Sequence, residues 1–427
     1  MKKLLYLAAL AVVALSANAQ SKEELKALKE AQKEAEKVVK HARQTYEQSI
    51  PNAQYGRKET DFTKLAEAKA MIEQAIANKY SAEDAETYKV AADIAAQYYN
   101  KYDNAVKANM DDTEAKVNLI NTSKELVGYA VKYDSLYNLD PKKKEADYKT
   151  AHTYYQNLAV NPVIQCLQAA QNYSTSDKQS ELKEGASLGA TVVNAFTKSH
   201  LFSDFSNPSK DEWITYAKAF KAQSLAGVEG TSAEDVENAY LELVGTKYES
   251  TAYSALCNYY RETNADKYIE YLKKGMDKAD AETWPNFAFM LMQYQFTNDK
   301  KDDCLNTIQQ IKEKAPDNEN TVNAYLMEGQ IYFERKLYDK AEALFAEAVQ
   351  KFPDDERAIT MPAKSAWMKA QASGDKAAMQ HAVDLFKELE AKYPNNTDYW
   401  GEPLYILYNN MGNIAARDKY KKYYTSR

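Results

Sequence analysis

The stretch from Thr321 to Asp355, TVNAYLMEGQIYFERKLYDKAEALFAEAVQKFPDD, decides how the chain is read. Tyr325, Gly329, Tyr332, Ala341, Phe345, Ala348 and Pro353 stand at offsets that describe a helix, a tight turn and a second, antiparallel helix. Each residue type has a physical reason. Gly329 and Ala341 are small where the two helices cross, Tyr332 and Phe345 fill the wedge between neighbouring hairpins, and Pro353 stops the second helix. One such hairpin cannot bury its apolar face alone, so the pattern requires stacked neighbours.

Those neighbours are legible in the flanking sequence. Ala279, Pro316, Pro353 and Pro394 mark successive ends of second helices, spaced by 37, 37 and 41 residues. Cys304, Ile308 and Ile311 before Pro316, and Ala382, Phe386 and Leu389 before Pro394, repeat the offsets of Ala341, Phe345 and Ala348. A last unit carries Trp400 and Leu404 in its first helix and Ala416, Tyr420 and Tyr423 in its second. The longer final step predicts a lengthened turn at Ala372–Lys376. Repeat by repeat, these residues resemble the tetratricopeptide repeat (TPR) family, most clearly from Tyr248 to Tyr424. The resemblance implies an all-α fold, an α-solenoid of antiparallel helix pairs in a TPR-like superhelix, whose work is binding protein or peptide. Glu328 departs from the family pattern, which has an apolar residue there.

Upstream, Lys2 and Lys3, the apolar run Leu4–Leu15 and the small residues Ala17-Asn18-Ala19 read as a signal peptide, residues 1–19, cut before Gln20. The apolar run is shorter than the ~20 residues a membrane span needs, and no lipid-attachment cysteine follows it, so a periplasmic or secreted protein without a transmembrane anchor is expected. The Ala/Gln-rich signal end and the Lys/Glu content resemble exported proteins of Bacteroidetes-type bacteria. Residues 20–60 read as a capping helix, striped by Leu25, Leu28, Ala31, Ala35, Val38, Ala42 and Thr45, and a linker. Residues 61–205 read as degenerate TPR-like repeats. They include a helix opened by a Ser81–Asp84 capping box, and two helices, Lys142–Val160 and Pro162–Gln171, parted at Asn161. Ser206–Ser209 is the candidate hinge, and residues 206–427 hold the clear repeats, with 322–355 the clearest unit.

Composition narrows the function classes. Gly 12 and Pro 10 in 427 residues suit long helices joined by short turns, and the 34 tyrosines suit rings in helix seams with hydroxyls at the solvent edge. A net charge of -7 argues against nucleic acid, whose phosphates demand a basic face. The three cysteines, Cys166, Cys257 and Cys304, fit no metal framework and read as core packing, and their spacing does not favour a Cys257–Cys304 disulfide. His41, His152, His200 and His381 are isolated, and no nucleophile elbow, phosphate loop or CxxC motif occurs, so neither an enzyme nor a cofactor is expected.

Binding residues are sought on the outward positions of first helices, which line the concave surface in the TPR family. Asn286 matches Asn323, Phe289 matches Leu326, Gln293 matches Gln330, and Phe296 matches Phe333; Gln371 and Tyr259 extend the amide and aromatic rows. Amides could bond a peptide backbone while aromatic faces take its apolar side chains, although packing alone could also account for Phe296 and Phe333. Met290 and Met327 stand where a carboxylate clamp would place basic residues, so an apolar or extended segment of an envelope protein is the expected partner. The competing reading is a carbohydrate-binding protein resembling SusD-like receptors, with Trp213, Trp284, Trp367 and Trp400 as stacking platforms.

Overall fold

Helix after helix follows from the cap residues and apolar stripes of this sequence. The computed structural model describes residues 22–139 and 145–424; the expected signal peptide lies outside the described residues. The fold is all-α, with eighteen α-helices and no strand among the described residues. Two compact units divide between Tyr248 and Glu249.

The N-terminal unit contains α1 (Lys22–Ser49), α2 (Phe62–Ala77), α3 (Ala85–Ala108), α4 (Thr113–Leu139), α5 (Glu145–Tyr173), α6 (Gln179–Lys198), α7 (Lys210–Gly227) and α8 (Ala233–Leu241). Sequential helices pack as neighbours, α1 also touches α3, and α5 also touches α7. Of the stripe on α1, Ala35 and Ala42 are buried and Val38 is half-buried beside the buried Val39, while Leu25 stays 37% exposed. Asp61 caps α2 by accepting from the Thr63 and Lys64 amides at 3.0 and 3.2 Å. Three local expectations are corrected here. Ser81 does not open a helix: Asp84 is the cap of α3, and Ser81 is buried in the preceding turn, donating to the Ala75 carbonyl at 2.7 Å. Asn161 does not end a helix, since α5 runs unbroken through Pro162. An internal proline costs a helix about 3 kcal/mol, but Ala159, Val163 and Cys166 around it are fully buried, and their packing outweighs the loss. Ser206–Ser209, expected as a hinge, is the capped turn into α7, where Ser209 and Glu212 form a reciprocal capping box.

The C-terminal unit is a succession of five hairpins: α9 (Glu249–Tyr260) with α10 (Ala265–Lys278), α11 (Trp284–Thr297) with α12 (Lys301–Lys314), α13 (Thr321–Glu334) with α14 (Tyr338–Lys351), α15 (Glu356–Ser373) with α16 (Lys376–Lys392), and α17 (Gly401–Asn410) with α18 (Ile414–Tyr420). The four later hairpins turn on a residue of positive φ at equivalent places: Asp299, Lys336, Gly374 and Gly412. The first two are not glycine, so each accepts a left-handed conformation costing roughly 1 kcal/mol to keep the register. The long step before Pro394 does not lengthen a turn as expected; α15 and α16 have 18 and 17 residues where α11 to α14 have 14 each. A helix takes up extra residues without exposing unpaired backbone groups, which a longer loop would do.

Gly329 shows why the pattern needs glycine. A Cβ there would lie 2.0 Å from Phe345 Cζ, so the ring of α14 sits directly over the backbone of α13. Phe345 therefore fills its own hairpin, whereas Tyr332 packs on the cluster of Val322, Tyr325, Leu344 and Ala348 that also takes in Ala358 of the following hairpin. Phe287 of α11 uses Gly275 of α10 in the same way to join successive hairpins, at 2.4 Å from the added Cβ. Glu328, the departure from pattern, is mostly buried, pairs with Lys312 of α12, and accepts from the Tyr332 hydroxyl at 2.7 Å. Lys312 in turn lies 3.8 Å from the centre of the Tyr325 ring, so the polar substitution is fully partnered.

Candidate functional site

The first helices α11 and α13 touch one another along one face, with α12 packed against both. Because side chains three and four apart share a helix face, Asn286, Phe289, Gln293 and Phe296 form one wall, and Asn323 and Leu326 stand on the other. Between them lies a groove of about 700 Å³, completed by Met290, Met292, Met327 and Asn320. Phe289, Met290, Leu326 and Met327 are half-buried: part of each packs on the core and part faces the groove. Asn286 and Gln293 are exposed at the edges. The groove thus offers thioethers and phenyl rings at its base and amides at its rim.

Not every candidate belongs to it. Gln330 is exposed outside the groove, its amide 3.4 Å from Glu334 Oε1. Phe333 packs within its own hairpin, 6.0 Å from both Phe345 and Tyr338. Gln371 is exposed near the end of α15, and Tyr259 of α9 packs edge-on against Tyr260 at 5.1 Å. These four lie outside the groove. Asn323 is there, but its side-chain oxygen already accepts from Arg357 Nη1 at 2.8 Å, and Arg357 is gripped by both carboxylate oxygens of Asp355, so only the amide N–H groups of Asn323 remain to offer. Asn320, Met292 and Arg357 were missed in the sequence. Asn320 precedes α13 and Arg357 belongs to the next hairpin, where a first-helix alignment does not look.

The tryptophans lie largely in the core. Trp213, Trp284 and Trp400 are 7%, 7% and 3% exposed, Trp213 stacks on Phe196 at 5.4 Å, and the half-buried Trp367 meets Phe386 edge-on. All three cysteines are buried free thiols, with burial raising Cys166 and Cys257 to about 12 and Cys304 to about 11. Such thiols are neither metal ligands nor nucleophiles. His152 is 3.2 Å from Asp134, whose other oxygen accepts the His200 amide at 2.9 Å; this buried carboxylate ties α4, α5 and the turn before α7 together. Among the described residues, no cluster of three or more metal-ligating side chains occurs, and no helix is long and apolar enough to cross a membrane.

No family model and no curated protein matches the chain. Solved structures similar to it include yeast Tom70, at 13% identity over 90% of this chain and 91% of that one, with a TM-score of 0.27. The TPR domain of P58(IPK) is 10% identical over 89% and 99%, with a TM-score of 0.25. A human IFIT1 dimer with PPP-AAAA is 15% identical over 84% of each chain, with a TM-score of 0.22. With scores this low, the fold rests on the hairpin succession described above.

Proposed function

We propose that this protein is an exported scaffold that holds an extended, largely apolar peptide segment of an envelope protein in the groove between α11 and α13. The observation that carries the reading is the pairing of half-buried apolar side chains at the base, Phe289, Met290, Leu326 and Met327, with exposed amides at the rim. An apolar side chain entering the groove leaves water, while Asn286 and Gln293 can satisfy the peptide groups on either side of it. The volume, about 700 Å³, suits a few residues of extended chain rather than a folded surface. The methionines adapt to several side-chain shapes, which favours a class of partners over one sequence.

The test is a peptide-array screen with the intact protein, followed by fluorescence anisotropy on the peptides retained. Extended apolar peptides should bind and should lose affinity in Phe289→Ala; if none is retained, or if the variant binds as well as the parent, the groove is not the site. The export half of the proposal is tested separately, by N-terminal sequencing of the protein recovered from cells. Gln20 is the expected first residue, and a retained Met1 would contradict it.

A further inference from the structure

The N-terminal unit has a groove of the same plan and the opposite chemistry. It opens between the first turns of α3 and α5, over the end of α4, with a volume of about 600 Å³. Asp84, Glu86, Lys89 and Asp93 line it from the α3 side, Asp147, Tyr154 and Tyr155 from the α5 side, and Tyr133 and Tyr137 form its floor. The rings make a continuous chain whose faces turn from one to the next. Tyr154 meets Tyr155 edge-on at 4.9 Å, Tyr155 tilts onto Tyr133 at 4.6 Å, and Tyr133 tilts onto Tyr137 at 5.4 Å. Tyr154 keeps 52% of its surface exposed at the rim, so its ring is accessible from the groove mouth.

The charges in this groove are unbalanced. Glu86 is neutralised by Arg43 of α1 at 2.6 Å. Among the described residues, Asp84, Asp93 and Asp147 have no cation at ion-pair distance, and Lys89 is the only cation of the wall. Asp93 sits deepest: it accepts from the Tyr155 hydroxyl at 2.9 Å, and burial raises its carboxyl to about 6. Lys89 and Arg43 act on Asp93 only from beyond ion-pair distance, and a largely desolvated carboxylate beside π-faces, in a wall with more acids than cations, is the arrangement that recognises a cation carrying an apolar stem.

We propose that the groove between α3 and α5 binds an alkylammonium ion, its charge on Asp93 and Asp147 and its methylene stem along Tyr154, Tyr155 and Tyr133. The same chemistry occurs in a lysine side chain of a polypeptide and in a free diamine. Neither needs the groove of the C-terminal unit, so the proposal stands or falls apart from the peptide reading.

Calorimetric titration of the full chain at neutral pH and low salt tests it with three probes: 1,5-diaminopentane, a blocked Gly-Lys-Gly peptide, and the same peptide with norleucine in place of lysine. The ammonium probes should saturate one site and the norleucine peptide should not. A tighter diamine assigns the site to free amines, and a tighter lysine peptide assigns it to polypeptide. Asp93→Asn and Tyr154→Ala should each weaken binding by roughly tenfold. Tyr154 is largely exposed, so its variant keeps the fold and the test holds even if Asp93→Asn does not. Binding should also weaken as pH falls below about 6, because Asp93 then takes up a proton. The groups facing Asp93 are Glu86 and Lys89 on its own helix, Arg43 and Tyr46 on α1, Tyr133 on α4, and Tyr154 and Tyr155 on α5. Failure of both ammonium probes to saturate, equal binding of norleucine, or unchanged affinity in both variants overturns the proposal.

Discussion

In the α11–α13 groove, the turns that face outward carry Phe289, Met290, Leu326 and Met327, rimmed by Asn286 and Gln293. In the α3–α5 groove, the corresponding faces carry Asp93, Asp147 and a run of tyrosines. Both grooves are bounded by two helices that run in the same direction, with an antiparallel helix between them. The difference teaches that a hairpin's packing residues and its groove residues occupy separate faces of one helix. The C-terminal unit conserves its frame through small-against-large contacts such as Gly329 under Phe345. Hydrogen bonds from phenols to acids brace both units, Tyr155 to Asp93 at 2.9 Å in the N-terminal one and Tyr325 to Glu347 at 2.8 Å in the C-terminal one. Either frame leaves the groove face free to carry different chemistry.

The comparison breaks first if the frames do not support the grooves. Phe345→Ala removes a fully buried ring from over Gly329 and should cost roughly 3–5 kcal/mol, read as faster native-state hydrogen exchange across 249–424. An unchanged exchange pattern would mean that the glycine contact does not hold the hairpin. Next in size, Phe289→Ala should lower peptide affinity by about 2 kcal/mol, or roughly 30-fold, while leaving ammonium binding unchanged. If both affinities fell together, the two grooves could not be treated as separate sites.

A third measurement sharpens the electrostatic half of the contrast. Burial raises Asp93 to about 6 in the folded protein, above the ordinary carboxylate value, so the native state holds this proton more tightly than the unfolded chain. Its contribution to stability therefore grows as pH falls through about 6 and is lost as pH rises through it. Asp93→Asn should be more stable than the parent at pH 8 in urea unfolding, with the difference closing toward pH 4. A difference that does not change with pH would show that Asp93 is not desolvated. Smallest of all, Gln330→Ala should change stability by less than ~0.5 kcal/mol and leave peptide affinity where it was, since the side chain is exposed and outside the groove. A measurable loss of affinity would place the binding face further along α13.

Much of this frame could be read from residue types alone, because Gly329, Phe345 and Pro353 each answer a local steric demand. What the sequence obscured were choices settled by packing. Pro162 is a helix breaker in isolation, and only the buried neighbours Ala159, Val163 and Cys166 show why α5 continues through it. Ser81 and Asp84 are both fair cap residues, and the backbone selected the second. Helical spacing places Asn286, Phe289, Gln293 and Phe296 on one face, and all four line the groove, but matching by repeat step could not tell that Phe333 turns inward onto Phe345. The acidic groove was invisible for another reason. Carboxylates are abundant on most helices of this chain, and nothing in the spacing of Asp93 marks it as the one drawn under Tyr155. The Tyr154-Tyr155 doublet and the Tyr133, Tyr137 pair one helical turn apart were the signals available.

The phenols have a practical consequence. With 34 tyrosines in the chain and burial raising Tyr46, Tyr133 and Tyr155 far above the ordinary phenol range, part of the phenolate absorbance in strong alkali waits for helices to part. A stopped-flow jump to high pH would therefore record, without any attached dye, the order in which successive pairs of helices fray.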